Sequence, residues 1–284
     1  MRTIGLYVNL HRERAIELAR EVSQLASARN LAVACADDQN ETLALSTNGA
    51  RLSDSDLIVT IGGDGTLLRG VKIAAPLDVP IFGVNTGRLG FLTEVDDHHD
   101  VIREVGDLFD GSFRIEERVA LNTSVNGGSP YFALNEVVVR RASNARMAPF
   151  GLALDGMTIA HIPSDGIIVA TPTGSTAYFL SAGGPIISPG VDALGIAALM
   201  PHTFFARPLL VPSTSVIEIR LDSDSDHANL DIDGTLAMDL VPGDLVRVVR
   251  APVSVKFARL RSNGFFSRLE EKLQWGVPIK RDGG

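Results

Sequence analysis

The chain has 284 residues, 45% of them hydrophobic, and carries 34 acidic against 26 basic side chains for a net charge of −8. Its mean hydropathy of +0.17 fits well-filled cores and excludes a disordered chain, and the length allows two domains or one large one. A pI near 5.3 argues against nonspecific nucleic-acid binding, which needs a basic face, so an anionic ligand has to be held by local groups.

The opening, Met1-Arg2-Thr3-Ile4-Gly5, has no long apolar region or small-residue cleavage site, and no apolar stretch reaches ~18 residues, so a soluble cytoplasmic protein is expected. Residues 3–8 read as a buried strand. Ala15, Ile16, Leu18, Ala19, Val22, Leu25 and Ala26 then follow helical spacing. Residues 31–35, 57–61 and 79–84 are further strands, with helical segments at 66–74 and 101–109. Strands alternating with helices predict a Rossmann-like parallel sheet covered on both faces, with ligands bound beyond the carboxyl ends of its strands. Cys35, the single cysteine, has no partner for a disulfide and no CxxC or Cys/His cluster, and reads as a buried strand residue.

The strand at 57–61 stops in Gly62-Gly63-Asp64-Gly65-Thr66. Glycines at 62, 63 and 65 permit positive φ and close approach of a ligand, and the following helix start favours a phosphate. The run is neither GxxxxGK[ST] nor GxGxxG. In the Asp-x-Asp-Gly-Thr motif of aspartyl-phosphate phosphatases the nucleophile would fall at position 62, which is Gly. Asp64 is therefore expected to act as a base or orienting group. A second glycine-rich segment, from Gly83-Val84-Asn85 to Phe91, follows the next strand.

Around Gly111 to Arg118 the pattern changes to short β-like runs at 120–125, 131–140, 151–154, 157–162, 166–170, 215–221, 228–232, 245–249 and 253–257, with turn residues between them and one helix at 173–181. A mainly β, sandwich-like second domain over 116–259 is expected. Asn135-Glu136 sits inside one of these runs. Such a pair reads as a solvated strand edge or as adenine or ribose recognition, since Asn offers donor and acceptor and Glu two acceptors. Thr171-Pro172-Thr173-Gly174-Ser175-Thr176-Ala177-Tyr178 crowds hydroxyls at a helix start, where capping explains one or two of them. Of the six histidines, His98 and His99 lie in an acidic loop, and no HExxH or paired-His metal spacing occurs.

Assembled, these segments resemble the NAD kinase family through most of the chain. The carriers are Gly62-Gly63-Asp64-Gly65-Thr66, Gly83-Val84-Asn85 with Gly87-Arg88-Leu89-Gly90-Phe91-Leu92, Leu134-Asn135-Glu136-Val137, and Asp165-Gly166 through Tyr178. The first is shared with lipid kinases and loosely with phosphofructokinases; the last is close to diagnostic. Phe265-Phe266, Leu269, Lys272-Leu273 and Trp275-Gly276 resemble the family's C-terminus, which implies that 260–284 returns to a first domain of 1–115. The resemblance implies phosphorylation of the 2′-hydroxyl of the adenosine ribose of NAD, with ATP or polyphosphate as donor, a divalent metal ion, and a homodimer or homotetramer as the active species. It makes Asp64 the proton acceptor. It also places Gly62, Gly63, Gly65, Thr66, Arg69, Asn85, Phe91, Asn135, Glu136, Arg146, Asp165, Thr173, Ser175, Thr176, Ala177, Tyr178, Phe179, Leu180 and Ser181 at the nucleotide sites, with Thr235 at the margin. Two positions depart from the family pattern: Pro163 where Arg is often found, and Thr235 where Gln is frequent. They leave the donor and the choice of NAD or NADH open. A lipid or sugar kinase sharing only the glycine turn, and a non-catalytic NAD-binding sensor, are the competing readings.

Overall fold

The computed structural model describes residues 1–274 apart from 46, 48, 88–89, 99, 143–147, 204–205, 223–225 and 261–263. The chain divides into two units, Met1–Glu117 with Lys256–Gly284, and Arg118–Val255.

The first unit runs β1 (Thr3–Val8), α1 (Glu13–Ala28), β2 (Ala32–Cys35), α2 (Asp37–Leu43), β3 (Leu57–Gly62), α3 (Asp64–Leu77), β4 (Ile81–Asn85), β5 (Val95–Asp96), α4 (Val101–Phe109) and β6 (Arg114–Arg118). Every residue of β3 and β4 is buried, which is why neither shows the alternation of a half-exposed strand. β1 pairs in parallel with β2 on one side and β3 on the other, and β3 with β4. The strand order therefore reverses beside β1, and the register sets Gly62 opposite Asn85, so two glycine-rich exits lie together at the carboxyl edge of the sheet. Leu18 and Val22 of α1 and Val101, Val105 and Leu108 of α4 bury the apolar faces that the helical spacing marks, against Leu6, Val59 and Phe82.

α2 has no apolar periodicity in the sequence. It is held by Gln39, whose amide accepts from Val8 N at 2.9 Å and donates to Val8 O at 2.8 Å. A late strand, Val255–Arg259, pairs in parallel with β4, Phe257 lying opposite Ile81. The sequence reading assigns 253–257 to the β domain and starts the return at 260. The structure moves that strand into the parallel sheet and starts the return at Lys256. A short buried strand looks the same in either sheet, because what differs is its partner.

The second unit holds two six-stranded antiparallel sheets. Its strands are β7 (Leu121–Val125), β8 (Tyr131–Ala133), β9 (Glu136–Arg141), β10 (Ala148–Leu154), β11 (Met157–Ser164), β12 (Gly166–Ala170), β13 (Ala193–Leu199), β14 (Leu209–Pro212), β15 (Ile217–Leu221), β16 (Ala228–Ile232), β17 (Thr235–Leu240) and β18 (Leu245–Arg250). The strand of the first unit just described is then β19. One sheet is ordered β11-β10-β15-β18-β7-β8 and the other β14-β13-β12-β9-β16-β17. Phe150, Ile219 and Val248 from the first meet Val137, Val169 and Leu230 from the second in one core, the arrangement of a sandwich. The opposite face of β9 and β12 buries Val138, Ile168 and Ala170 under Phe179.

Two expectations need correction here. The run 131–140 is broken by a bend at Leu134-Asn135, and the helix at 173–181 is a 3-10 turn, Gly174–Thr176, followed by one α-turn, α5 (Tyr178–Ser181). Ala177, at φ −100° and ψ −130°, separates them. A final helix, α6 (Gly264–Leu273), belongs to the first unit. Among the described residues no helix is long and apolar enough to cross a membrane.

Candidate active site

In the first unit Asp64 is the first residue of α3, directly beyond the buried end of β3. Its half-buried carboxylate is held by three successive backbone donors: Phe91 N at 2.8 Å on Oδ2, Leu92 N at 3.1 Å and Thr93 N at 3.4 Å on Oδ1. Gly90 makes room for it, since a Cβ there would lie 2.0 Å from Asp64 Oδ1. None of Gly62, Gly63 or Gly65 uses the positive φ that glycine permits. Gly62 is needed for space instead, because a Cβ would sit 2.3 Å from the hydroxyl of buried Thr66. Gly63 and Gly65 have nothing within 4 Å of a Cβ, which leaves the backbone of the turn open to a ligand.

Asn85 is fully engaged within the protein. Its amide donates to Asp96 Oδ1 at 2.7 Å and Gly87 O at 3.2 Å and accepts from Gly87 N at 3.1 Å, so it shapes the 85–87 turn. Phe91 carries Lys272 Nζ 4.4 Å above its ring, and Arg69 lies exposed on α3. Arg88 and Leu89 lie outside the described residues, as does Arg146.

In the second unit the bend before β9 changes the meaning of Asn135-Glu136. Both side chains are buried, at 8% and 4% exposure, so the solvated strand edge is excluded. Among the described residues, Asn135 Oδ1 and Glu136 Oε2 are buried polar atoms without a hydrogen-bond partner. Such atoms cost free energy unless something satisfies them. Burial, reinforced by the charge of Asp233, pushes the Glu136 carboxyl up to about 8.

Asp233 is the residue that sequence reasoning missed. Its carboxylate accepts from the backbone N–H groups of Leu134 at 3.0 Å, Asn135 at 2.7 Å and Glu136 at 3.2 Å. The available signal was Asp233-Gly234 between two strands, here a hairpin turn with φ of 48° and 74°. Thr235, two residues on, is exposed at the start of β17.

The hydroxyl-rich segment is threaded against the same bend. Thr171 N donates to Asn135 O at 2.9 Å, Thr171 Oγ1 to Leu134 O at 2.6 Å, and a Cβ on Gly174 would lie 2.1 Å from Asn135 O. Ser175 is spent on Pro172 O and both backbone groups of Ile187, and Thr173 accepts from buried Arg118 at 3.2 Å. Phe179 is wholly buried beneath Gly184 and Gly195 and is core, whereas Tyr178 and Ser181 are exposed and Thr176, Ala177 and Leu180 half-buried. Asp165, in the bend between β11 and β12, accepts from Arg141 Nε at 2.7 Å. With Arg140, Arg141, Tyr178 and Met200 it lines a cavity of about 230 Å³.

The first unit thus groups Asp64, the glycine turn and Phe91, and the second groups Asn135, Glu136 and residues 173–176, with Asp165 and Tyr178 sharing a cavity. Residues 4–113 match the ATP-NAD kinase N-terminal domain, and residues 134–260 match the ATP-NAD kinase C-terminal domain. An NAD kinase of Heliobacterium modesticaldum is 40% identical, over 97% of this chain and 100% of that protein. Among solved structures, an NAD kinase from Archaeoglobus fulgidus in complex with ATP superposes with a TM-score of 0.75 at 26% identity, covering 96% of this chain and 99% of that one. Yeast NADH kinase complexed with NADH superposes at 0.89 over 100% and 90%, and at 24% identity that likeness speaks for the fold alone. With both halves matched in order and a relative alike along its whole length, this chain belongs to the NAD kinase family.

Proposed function

We propose that this protein transfers the terminal phosphoryl group of ATP to the 2′-hydroxyl of the adenosine ribose of NAD, giving NADP. The observation that carries the reading is the pair of buried, unpartnered oxygens at Asn135 and Glu136, which fit the hydroxyl and amino groups of a nucleoside and have no use in packing. A lipid or sugar kinase sharing only the glycine turn has no need of them. Retention of Asp64 at that turn speaks against a non-catalytic sensor.

In phosphoryl transfer through a loose transition state the hydroxyl proton moves late, so a carboxylate orients the nucleophile and takes the proton as the new bond forms. Asp64, aimed by three backbone amides, is the group for that role. The open backbone of Gly63 and Gly65 and the start of α3 supply donors for phosphate oxygens. Arg69, Asn135, Glu136, Arg146, Asp165, Thr176, Ala177, Tyr178, Leu180 and Ser181 bind the dinucleotide in this reading, while Asn85, Thr173, Ser175 and Phe179 hold the surrounding loops.

A divalent cation fits as a companion of the nucleotide phosphates. Such an ion needs only one or two carboxylates from the protein, the turn offers Asp64, and the described residues hold no cluster of three or more His, Cys, Asp or Glu. Asp64 is the residue that would help to hold it, and the ion would supply positive charge to the nucleotide phosphates.

The protein acts in the cytoplasm as a homodimer or homotetramer. Edge strands β11, β14 and β17 support self-association, because they expose Met157, Ile159, Leu209, Leu210, Leu236 and Met238. Incubating purified protein with NAD or NADH and either ATP or polyphosphate, and following NADP(H), tests the activity; no product with any pairing refutes it. Light scattering at assay concentration tests the oligomer, and a fully active monomer refutes it.

A further inference from the structure

We propose that Arg268, and with it Arg259, is a positioning residue for Asp64, acting through the peptide groups that hold the Asp64 carboxylate. The inference rests on the reading of Asp64 as the proton acceptor.

Residues 90–94 have no regular secondary structure, yet their amides aim the Asp64 carboxylate. A peptide group is planar and trans, so its C=O and the following N–H point in opposite directions and turn together. Phe91 N–H, bound to Asp64 Oδ2, shares its peptide plane with Gly90 C=O. That carbonyl accepts from Arg268 Nη1 at 3.2 Å. Thr93 N–H, bound to Asp64 Oδ1, shares its plane with Leu92 C=O, which accepts from Arg259 Nη1 at 3.0 Å. Two of the three donors to Asp64 are therefore fixed from behind by a guanidinium.

The same two arginines close the far end of the segment. Arg268 Nη2 reaches Glu94 O at 2.8 Å, and Arg259 Nη1 reaches Glu94 Oε2 at 3.0 Å. Arg268 is 9% exposed, Arg259 6% and Glu94 2%, so water does not compete for these bonds. A cation on the carbonyl side also polarises the peptide and strengthens its N–H as a donor to an anion. Arg268 spans Gly90 O and Glu94 O with two nitrogens of one rigid fork, a geometry that the single ammonium of lysine does not reproduce.

The test measures kcat, the KM values for NAD and ATP, and NAD affinity by calorimetry for wild type, Arg268→Met and Arg268→Lys, each with Asp64 intact and in an Asp64→Asn background. Expected is a loss of kcat of tenfold or more in both Arg268 variants, with both KM values and NAD affinity within about twofold. In the Asp64→Asn background the Arg268 substitutions cost no further activity, because groups that act as a unit are not additive. If Arg268→Met fails to fold, Arg268→Lys, which keeps the buried cation, decides. Wild-type kcat in folded Arg268→Lys, or an equal loss with and without Asp64, overturns the proposal. If wild type makes NADP and Asp64→Asn does not, but the Arg268 variants are normal, this inference alone fails; if wild type makes none, the functional reading fails first.

Discussion

Replacing Glu136 with Gln should remove one titration from the pH dependence of stability. Glu136 is 4% exposed and lies near the Asp233 carboxylate, and together these raise its pKa from 4.5 to about 8. Between those values the folded protein keeps a proton that the unfolded chain has lost. Stability changes with pH in proportion to protons bound unfolded minus protons bound folded, here negative, so it falls as pH rises. The contribution is complete below pH 4.5 and is lost as pH rises through 8. Each pH unit is worth ~1.4 kcal/mol, which makes the ceiling over the whole interval ~5 kcal/mol. The assay is urea unfolding by far-UV circular dichroism at one-unit steps from pH 5 to 9, for wild type and Glu136→Gln. Every other ionisable group is the same in the two proteins and cancels in the comparison. The gap between the two midpoints should move against wild type as pH rises. Parallel curves, or a gap moving the other way, would refute the reasoning.

Asp64→Asn should keep the fold and NAD binding while lowering kcat by roughly 10²–10⁴-fold, the span of a lost general base, and a variant with near wild-type kcat removes Asp64 from the mechanism. Asn135→Ala should raise the KM for NAD by the equivalent of ~1–3 kcal/mol, since it deletes a buried partner of the ligand; unchanged affinity by calorimetry contradicts that. Gly174→Ala should cost ~1–3 kcal/mol of stability, because the added methyl lies 2.1 Å from the carbonyl oxygen of Asn135 and backbone cannot rotate away as a side chain can. A thermal melt unchanged within a degree would show that the bend yields.

The elements were legible where the pattern is local. Thr3–Val8, Val101–Phe109, Gly166–Ala170 and Ala228–Ile232 were read to the residue, since alternation, helical spacing and turn residues act within a few positions. Helix α2, seven mostly polar residues held by Gln39 and by a single buried apolar side chain, Leu43, offered no such signal. The segment 173–181 looked like one helix because its small polar residues suit a helix start. The break at Ala177 follows a 3-10 turn that packs, at Gly174, against the Asn135 carbonyl, a contact that propensity does not see.

By itself the amino-acid sequence determined that a buried strand ends in a glycine turn with one carboxylate at a helix start, and that a hydroxyl-rich turn follows a β run later in the chain. Those are statements about neighbours along the backbone. Only the tertiary structure decided that the carboxylate is aimed by the amides of residues 91–93, that Arg259 and Arg268, more than 160 positions away, bond the carbonyls behind two of those amides, and that Asp233 ties down the bend which buries Asn135 and Glu136. Hydrogen bonds between distant segments depend on which strands become neighbours, and that is settled by burial of apolar faces shared across the whole sheet.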